Sequence, residues 1–378
     1  MKLIHLSDLH LGKRLNEYSL IEDQRHILER IVEIVDNEMP DGILIAGDVY
    51  DRAVPCVEAV SLLDDFLVRL SERNISVFMI SGNHDSAERM AFASRLIRQS
   101  GVHVSPVYHG EVTPFTLKDE YGSVNIFMLP FVKPASVRRF FDTEIDSYTE
   151  AVRLAVSRMA IDTADRNVLM THQFVTGALR SESEELSVGG TDNVDVSVFD
   201  GFDYVALGHI HSPQHCSAEH IRYCGTPLKY SFSEVNDEKS VTVVELLEKG
   251  TMTIRTVPLK PLRDMHSIRG SYDELMKQSY YENTPYREDY MRITLTDEED
   301  IPDAVGKLGT VYHRLMVLDY DNARTRNRTV LADLEAPETK SEIELFSDFY
   351  EQQNGKPMSE EQEQIMLEMI RKIWEDEA

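Results

Sequence analysis

The sequence is poor in cysteine and contains no long apolar run. Its 378 residues include three cysteines, Cys56, Cys216 and Cys224, and no two of them have Cys-x-x-Cys spacing. An odd, widely spaced set of this kind excludes a disulfide-stapled scaffold and a zinc ribbon. No stretch approaches the ~18 consecutive apolar residues that predict a transmembrane helix. The opening MKLIHLSDLH also lacks the apolar core and cleavage site of a signal peptide, so we expect a cytoplasmic protein.

Positive charge is scarce as well. The chain has 39 Lys and Arg residues against 66 Asp and Glu residues, which gives a net charge of −27. Such a balance opposes non-specific binding to nucleic acid, and any function on DNA must be reconciled with it. Part of this charge is local, since residues 341–378 contain 11 acidic and 3 basic side chains. The phosphate-binding pattern G-x-x-x-x-G-K-[ST] is missing from the sequence, so we expect no ATP site on this chain.

The first 260 residues alternate short apolar runs with longer amphipathic segments. Apolar residues at helical spacing predict helices over 20–37, 57–70 and 87–99. The short runs predict strands over 1–7, 42–46, 75–80, 123–129, 167–170 and 204–207, and a hairpin over 240–257. This alternation predicts an α/β domain over 1–260, built on a largely parallel sheet that helices cover on both faces.

The rest of the chain divides at two segments that contain proline. Pro258 and Pro261 mark one boundary, and the polar stretch 333–340 marks a second. Between these boundaries, residues 261–335 alternate strand and helix patterns on the scale of a small α+β domain.

Two helix-start signatures follow in residues 341–378. They are the capping boxes Ser341-x-x-Glu344 and Ser359-x-x-Gln362, and an apolar stripe follows each of them. Two short amphipathic helices are too small to bury such stripes alone. They therefore either pack on their own domain or dock into the groove of a partner.

Five of the predicted strands are followed closely by Asp, Asn or His. These strand-end residues are Asp8 and His10, then Asp48, then Asn83, His84 and Asp85, then His172, and finally His209 and His211. Because the carboxyl ends of parallel strands meet at one edge of a sheet, we expect these side chains to converge. A single histidine at a strand end is more often an ordinary loop residue, but five such motifs in order indicate one shared metal site.

The candidate ligands are two carboxylates, one amide oxygen and four imidazoles. They are Asp8, His10, Asp48, Asn83, His172, His209 and His211. This mixed set suits a transition metal such as Mn, Fe or Zn rather than calcium. Seven ligands are too many for one catalytic ion with open positions, and they suit two ions ~3.5–4 Å apart. Asp48 is the natural shared ligand, because it is the only candidate ligand at its strand end.

The ordered motifs D-x-H, G-D, G-N-H-D, H and G-H-x-H resemble those of the calcineurin-like metallophosphoesterase superfamily. Within it, the stretches DLHLG, GDVYDR, GGTDNVDVSVFDGFDYVALGHIH, GTPLKYSFSE and PLKPLRD are similar to the SbcD family of double-strand-break-repair nucleases. The likeness extends over essentially the whole chain. It implies an α/β fold: a layered metallophosphoesterase sandwich of sheets flanked by helices, with a smaller α+β capping domain and C-terminal helices.

The resemblance also implies roles for single residues. One ion would be held by Asp8, His10, Asp48 and His211, and the other by Asp48, Asn83, His172 and His209. His84 would be the catalytic histidine beside the scissile phosphate. Asp85 would either orient the His84 ring or cap the following helix. The candidate DNA contacts are Arg52, Arg324, Arg326 and Arg328.

The activity implied by the resemblance is that of a DNA nuclease with two divalent ions, Mn²⁺ by preference. It would be a 3′-to-5′ exonuclease on double strands and an endonuclease on single strands and hairpins, acting in DNA repair, replication and recombination. Residues 261–335 would cap the DNA, and residues 341–378 would dock SbcC, an SMC-like ATPase. Helices 57–70 and 87–99 would form a homodimer interface, and the protein would be associated with the nucleoid rather than a membrane.

Two alternatives remain open. A phosphatase or cyclic-nucleotide phosphodiesterase would use the same metal ligands, although a small substrate would not require residues 261–335 or the C-terminal helices. A non-catalytic scaffold of a DNA complex belongs to a different class of function. Such scaffolds usually lose metal ligands, whereas this sequence has all seven.

Overall fold

The computed structural model divides the chain into two compact units, Met1–Asp264 and Met265–Ala378. It describes residues 1–180, 192–323, 325, 343–344, 346–347, 350 and 357–376, with the backbone alone for 360, 368 and 371–376. Among these residues, none of the helices combines the length and the apolarity that a bilayer crossing requires.

The first unit contains two large sheets and two short strand pairs. Its strands, in chain order, are β1 (Lys2–Leu6), β2 (Arg14–Leu15), β3 (Tyr18–Ser19), β4 (Gly42–Ala46), β5 (Ser76–Ile80), β6 (Val102–Val104), β7 (Phe115–Asp119), β8 (Gly122–Leu129), β9 (Arg166–His172), β10 (Phe174–Val175), β11 (Asn193–Val194), β12 (Tyr204–Gly208), β13 (Gln214–Cys216), β14 (Ala218–Tyr223), β15 (Ser240–Leu246) and β16 (Met252–Pro258). Its α-helices are α1 (Ile21–Glu38), α2 (Val57–Ser71), α3 (Ala87–Met90), α4 (Ser94–Ile97), α5 (Pro134–Arg138) and α6 (Tyr148–Ser157).

The first large sheet has the strand order β16-β15-β1-β4-β5-β6. Strands β1, β4, β5 and β6 are parallel, and the hairpin of β15 and β16 extends the sheet in antiparallel fashion. Helices α1 and α2 connect the parallel strands and pack on each other. Their buried residues recur at helical spacing, for example Ile27 and Ile31 in α1 and Leu62 and Phe66 in α2.

The second large sheet has the strand order β13-β14-β12-β9-β8-β7, with β8, β9, β12 and β14 parallel and antiparallel strands at both edges. It faces the first sheet across a buried core that includes Leu44 and Phe78 from one sheet and Val168 and Tyr204 from the other. Its other face packs against α5 and α6. The unit is therefore a four-layered sandwich of helices, sheet, sheet and helices.

This arrangement corrects one expectation from the sequence. The alternation of strands and helices predicted a single sheet with helices on both faces, whereas each sheet has helices on one face and the other sheet on the second. A strand that is buried on both faces has the same apolar pattern whichever element covers it, so the pattern could not distinguish the two arrangements. The layered sandwich implied by the resemblance is confirmed.

The predicted helix over 87–99 is also wrong. The segment forms the short helices α3 and α4, followed by a 3₁₀ turn at Arg98–Ser100. Ala93 separates the two helices with a left-handed φ of 58°, which a continuous right-handed helix cannot accommodate. Its neighbours Phe92 and Leu96 are 82% and 77% exposed.

The second unit contains a three-stranded parallel sheet in the order β17-β18-β19. Its elements are β17 (Met265–Gly270), α7 (Tyr272–Leu275), α8 (Gln278–Tyr281), β18 (Tyr290–Leu295), α9 (Ala304–Gly309), β19 (Arg314–Tyr320) and α10 (Glu360–Asp376). Met291, Ile293, Leu308 and Tyr312 are at the centre of its buried core. The strands and helices of this unit follow the alternation that the sequence predicted, and a separate domain with the bounds 261–335 stays a prediction.

Helix α10 begins at the second predicted capping box. The backbone N–H of Ser359 donates to Gln362 Oε1 at 2.9 Å, and the backbone N–H of Gln362 donates to Ser359 Oγ at 3.3 Å. This reciprocal pair confirms the helix start that the sequence indicated. The other signature begins at Ser341, which lies outside the described residues.

Candidate metal centre

The predicted ligands lie at the carboxyl ends of β1, β4, β5, β9 and β12, where the two sheets meet. The Nδ1–H of His172, at the end of β9, donates to the Ala46 carbonyl oxygen at the end of β4, at 2.8 Å. From the end of β12, the backbone N–H of His209 donates to the carboxylate of Asp8, at 3.1 Å. These bonds join the first sheet to the second, so ligands from distant parts of the chain share one site.

The backbone turns sharply after β1 and after β4. Asp8, His10 and Asp48 have left-handed φ values of 53°, 43° and 47°. Such a conformation costs of order 1 kcal/mol or more for a non-glycine residue and is typical of functional sites. It is held by hydrogen bonds between the loops, for example from the N–H of His10 to the Asp48 carbonyl at 2.9 Å. At Gly82 an added Cβ would lie 2.1 Å from Asp48 Oδ1, so only glycine allows this approach.

The first predicted ligand set is brought together in the structure. His10 Nε2 and His211 Nε2 are 3.2 Å apart, and His10 Nε2 is 3.7 Å from Asp48 Oδ2. Ligand atoms of Asp8, His10 and His211 all lie within 4.8 Å of one another. All four side chains are buried.

The second predicted set is equally compact. His172 Nε2 is 3.2 Å from Asp48 Oδ2 and 3.0 Å from Asn83 Oδ1. His209 Nδ1 is also 3.0 Å from Asn83 Oδ1. Asp8 lies close to this set as well, with its Oδ1 4.0 Å from His172 Nε2. Asp48 Oδ2 therefore lies close to imidazoles of both predicted sets.

Tautomers fixed by hydrogen bonds indicate that these nitrogens face either a proton or a metal ion. A carbonyl oxygen can only accept, so His172 must donate from Nδ1 to Ala46, and in the neutral ring Nε2 then presents a lone pair. That lone pair faces the oxygen of Asp48 at 3.2 Å, which is repulsive unless a proton or a metal ion lies between them. The same holds for His211, whose Nδ1 faces Glu234 Oε1 at 3.3 Å and whose Nε2 faces His10. The donor set therefore fits a divalent metal centre.

The pKa values in the centre also indicate that positive charge is favoured near Asp48. Burial raises the pKa of Asp8. Burial would also raise the pKa of Asp48, but the charges of His172 and His10 outweigh it and hold that pKa below its usual range. Burial would lower the pKa of His172, yet Asp48 prevails and raises it to about 9. Burial lowers the pKa of His209 to about 3, so this imidazole is neutral. The centre thus favours positive charge beside Asp48, whether from a proton or from a cation.

His84 lies at the accessible rim of the centre. Its backbone N–H donates to Asp48 Oδ1 at 2.9 Å, and its ring Nδ1 donates to the Asp51 carbonyl oxygen at 3.0 Å. Its Nε2 is 4.0 Å from Asp48 Oδ2, and its side chain is 21% exposed. The ring is therefore fixed in orientation and still reachable by a substrate.

Both roles predicted for Asp85 are wrong. Its carboxylate accepts hydrogen bonds from the backbone N–H groups of Val49, Tyr50 and Gly82, at 3.1, 2.9 and 2.9 Å. It therefore ties the loop after β4 to the loop after β5. The His84 ring is oriented by the Asp51 carbonyl instead, and Ser86 caps the following helix.

A buried ion pair supports His211, and the sequence reasoning missed it. Glu234 is fully buried, its Oε1 faces His211, and its Oε2 accepts from Lys239 Nζ at 2.6 Å. Burial opposes ionisation of Glu234, but His211 and Lys239 lower its pKa to about 2. Glu234 is the last residue of the stretch GTPLKYSFSE, and its place in that family-like stretch was the only sign in the sequence that it supports the metal centre.

The candidate DNA contacts are less well defined. Arg52 is exposed beside the centre, with its Nε 3.7 Å from Asp51 Oδ2. Arg324, Arg326 and Arg328 lie outside the described residues.

Comparison with known families defines the class of the protein. The family model described as calcineurin-like phosphoesterase matches residues 1–213, more than half of the chain. A second model, described as type 5 capsule protein repressor C-terminal domain, matches residues 261–354. The fold and the metal centre are thus those of a calcineurin-like phosphoesterase, an enzyme class that hydrolyses phosphoesters with divalent metal ions.

Individual relatives narrow the family. A protein of Staphylococcus epidermidis, named as the SbcD component of the nuclease SbcCD, is 35% identical over 323 residues, which cover 84% of this chain and 85% of the relative. A protein of the same name from Staphylococcus saprophyticus is 31% identical over 381 residues, covering 100% of this chain and 99% of the relative. A solved structure of a dimetal phosphatase from Danio rerio aligns with a TM-score of 0.40 and 11% identity, over 68% of this chain and 96% of that one. The chain belongs to the SbcD family of nucleases.

Proposed function

We propose that this chain is a two-metal DNA nuclease, a 3′-to-5′ exonuclease on double strands and an endonuclease on single strands and hairpins. The observation that carries the proposal is the convergence of seven oxygen and nitrogen ligands around Asp48 at one edge of the sandwich. The word nuclease in the names of both relatives supports nucleic acid as the substrate.

Under this proposal, Asp8, His10, Asp48 and His211 hold one ion, and Asp48, Asn83, His172 and His209 hold the other. The mixed imidazole and carboxylate donors suit Mn²⁺. When bound, such ions polarise the phosphate and lower the pKa of a water molecule, which makes a nucleophile available at neutral pH.

His84 would act on the leaving group. The hydrogen bond from Nδ1 to the Asp51 carbonyl holds the ring so that Nε2 remains for the substrate. Imidazole is the side chain that gains and loses a proton in the neutral range, and in its protonated form it can donate from Nε2 to the leaving 3′ oxygen. The ring would keep its orientation throughout, because Nδ1 stays bonded to Asp51.

The partners of this activity are DNA and the SbcC ATPase. We propose that residues 341–378 dock SbcC, and the exposed apolar residues of α10 support this: Ile365 and Met369 are 58% and 56% exposed. Residues 261–335 would cap the DNA, and Arg52, Arg324, Arg326 and Arg328 would contact its phosphates. A cytoplasmic, nucleoid-associated location follows from these partners.

A homodimer is part of the same proposal. Its interface would be formed by α2 and residues 87–99, and the support is their exposed apolar side chains. Val57, Val68, Phe92 and Leu96 are between 49% and 82% exposed. Large exposed apolar side chains mark candidate surfaces for another protein.

One assay tests the proposed activity. Duplex and hairpin DNA, labelled at either end, is incubated with the full chain and Mn²⁺ or Mg²⁺, with and without the ATPase and ATP. Bis(p-nitrophenyl) phosphate is the small phosphodiester control, and the Asp48→Asn variant controls for contaminating nucleases. We expect Mn²⁺-dependent shortening from 3′ ends that Asp48→Asn abolishes. Hydrolysis of the small ester without DNA cleavage would favour a phosphatase or a cyclic-nucleotide phosphodiesterase, and no hydrolysis at all would favour a scaffold.

A further inference from the structure

A cavity of about 260 Å³ opens at the edge of the sandwich, beside the outermost strands β6 and β7. His103 of β6 and Phe115 of β7 line it, together with Arg95 and Arg98. None of its lining residues belongs to the metal centre, and none is acidic. The cavity carries two arginines and no carboxylate, so it is positively charged, whereas the chain as a whole, with 66 Asp and Glu residues, is strongly negative.

The two arginines are three positions apart, on α4 and on the 3₁₀ turn that follows it. At this spacing two side chains lie on the same side, and like charges repel. Within the described part of the chain, neither guanidinium forms an ion pair with a carboxylate. The guanidinium of Arg98 is 5.4 Å from the centroid of the Phe115 ring, a cation–π contact that restricts its position. An anion between the two side chains would relieve their repulsion.

His103 adds a polar group without a partner. Its ring is stacked on Phe78, with centroids 5.0 Å apart, and is 4.1 Å from the centroid of Phe115. The residue is only 8% exposed, and no described residue hydrogen-bonds either ring nitrogen. Nδ1 is enclosed, which leaves Nε2 as the ring nitrogen available to a ligand. An imidazole that carries its proton on Nε2 can donate from there to a ligand, so His103 would add one donor to the two arginines that line the cavity.

We infer that this cavity binds a phosphate group, either as inorganic phosphate or as the phosphate of a mononucleotide. Guanidinium groups match the geometry of phosphate oxygens, and an imidazole N–H is a further donor to them. The volume is below the ~300–1,000 Å³ of sites for drug-sized ligands, which favours a small anion. The inference does not depend on the proposed nuclease activity, since it uses none of the metal ligands, although Arg95 and Arg98 lie in the segment proposed for the homodimer interface.

Phosphate binding to the metal-free full chain tests this inference. EDTA removes ions from the metal centre, so that phosphate cannot bind to metal ions there. Inorganic phosphate is titrated at constant ionic strength, and histidine ¹⁵N–¹H NMR follows the His103 ring. We expect one saturable site that shifts the His103 signals. Arg95→Gln and Arg98→Gln should each weaken binding at least tenfold, because each removes one charged donor from the phosphate.

Arg139→Gln is the matched control, because Arg139 is also exposed and does not line the cavity. It should leave the dissociation constant within twofold of that of the unmodified chain. A parallel titration with deoxyadenosine monophosphate distinguishes the two sources of phosphate. Tighter binding of the nucleotide would assign the cavity to mononucleotides, and equal or weaker binding would assign it to inorganic phosphate. Unchanged affinity in both cavity variants, or no saturable shift of His103 with either probe, would overturn the inference.

Discussion

At the scale of single residues, acceptors outside the metal centre determine which nitrogen each histidine presents to it. His172 and His84 are oriented by the carbonyl oxygens of Ala46 and Asp51, and His211 by the carboxylate of Glu234. The sequence predicted the histidines, because each follows an apolar strand. It could not predict two of the three acceptors, because a backbone carbonyl has no signature in the side-chain pattern.

Replacing His84 separates chemistry from metal binding. In His84→Gln we expect two bound ions per chain and unchanged DNA affinity, but a cleavage rate lower by about 10²–10⁴-fold, because the proton donor is lost. Elemental analysis and single-turnover cleavage of labelled duplex measure the two effects. His109→Gln is the control, since His109 is exposed and distant in sequence from the centre. Loss of bound metal in His84→Gln would show that His84 is a ligand instead.

Glu234 is expected to act as a positioning residue for His211. Glu234→Gln removes the charge that holds the Nδ1 proton of His211 and weakens the pairing of Lys239. We expect about 10–100-fold weaker Mn²⁺ binding, as for other carboxylates behind a metal-bound histidine, and recovery of most activity at saturating Mn²⁺. Titration calorimetry and rates measured against Mn²⁺ concentration test this. Glu238→Gln, a change in an exposed carboxylate of the same loop, should alter neither quantity. Full loss of activity at saturating Mn²⁺ would instead indicate a direct role in chemistry.

At the scale of elements, the sequence specified which segments are regular better than how they are packed. The long helices α1 and α2 and the central strands were predicted close to their observed bounds, because their apolar residues repeat over enough positions to define a period. The segment 87–99 failed because its apolar residues also recur at helical spacing, although they are exposed and Ala93 interrupts the helix. Periodicity shows which residues share a face and does not show what covers that face.

The exposed apolar residues of the 87–99 segment allow a test of the proposed homodimer. If Phe92 and Leu96 lie in a homodimer interface, Phe92→Asp and Leu96→Asp place charge in an apolar contact. We expect each to weaken dimerisation by about tenfold or more, a cost of ~1.4 kcal/mol or above. Sedimentation velocity over a concentration series measures this. Met39→Asp is the matched control, because Met39 is 78% exposed and lies outside the segment. A monomer at every concentration of the unmodified chain would contradict the proposed dimer.

Helix α10 carries a separate prediction. Ile365 and Met369 are four residues apart, so they lie on one side of the helix. In the double variant Ile365→Asp/Met369→Asp we expect about 30-fold or weaker binding to SbcC, with nuclease activity of the isolated chain unchanged. Co-purification and titration calorimetry measure binding. Gln364→Asp adds one charge at a neighbouring exposed position and should retain the complex. Wild-type affinity in the double variant would exclude this face of α10 as the docking surface.

At the scale of the whole molecule, the net negative charge of the chain opposes its proposed binding to DNA. A chain with a net charge of −27 is proposed to act on a polyanion, and its buried centre adds two carboxylates at the point of contact. Divalent ions held by these residues would resolve this opposition locally, because their positive charge would offset the carboxylates where the phosphate must bind. The net negative charge of the chain should keep DNA affinity weak and strongly dependent on salt.

The two sheets are also joined by a polar contact inside the sandwich. His5 of β1 is fully buried, its Nε2 donates to the Leu207 carbonyl at 3.2 Å, and its Nδ1 accepts from the Tyr204 hydroxyl at 2.9 Å. Both partners are in β12 of the second sheet. Burial lowers the pKa of His5 to about 3, so the folded protein keeps the imidazole neutral. The apolar pattern of β1 predicted a covered strand, but it contained no sign of this contact.

His5 makes the stability of the first unit dependent on pH. The unfolded chain binds a proton at this residue below pH ~6.5, whereas the folded chain does so only near pH 3, so acid favours unfolding. The free energy of unfolding should therefore fall as pH drops below ~6.5, with His5 contributing up to ~1.4 kcal/mol per pH unit. His5→Gln removes this titration, and its slope between pH 6.5 and 5 should be shallower by about 1 kcal/mol per unit. Urea denaturation of the metal-free proteins, followed by circular dichroism, gives both slopes. Parallel slopes for the two proteins would contradict this prediction, because they would mean that His5 takes up its proton at the same pH in the folded and the unfolded chain.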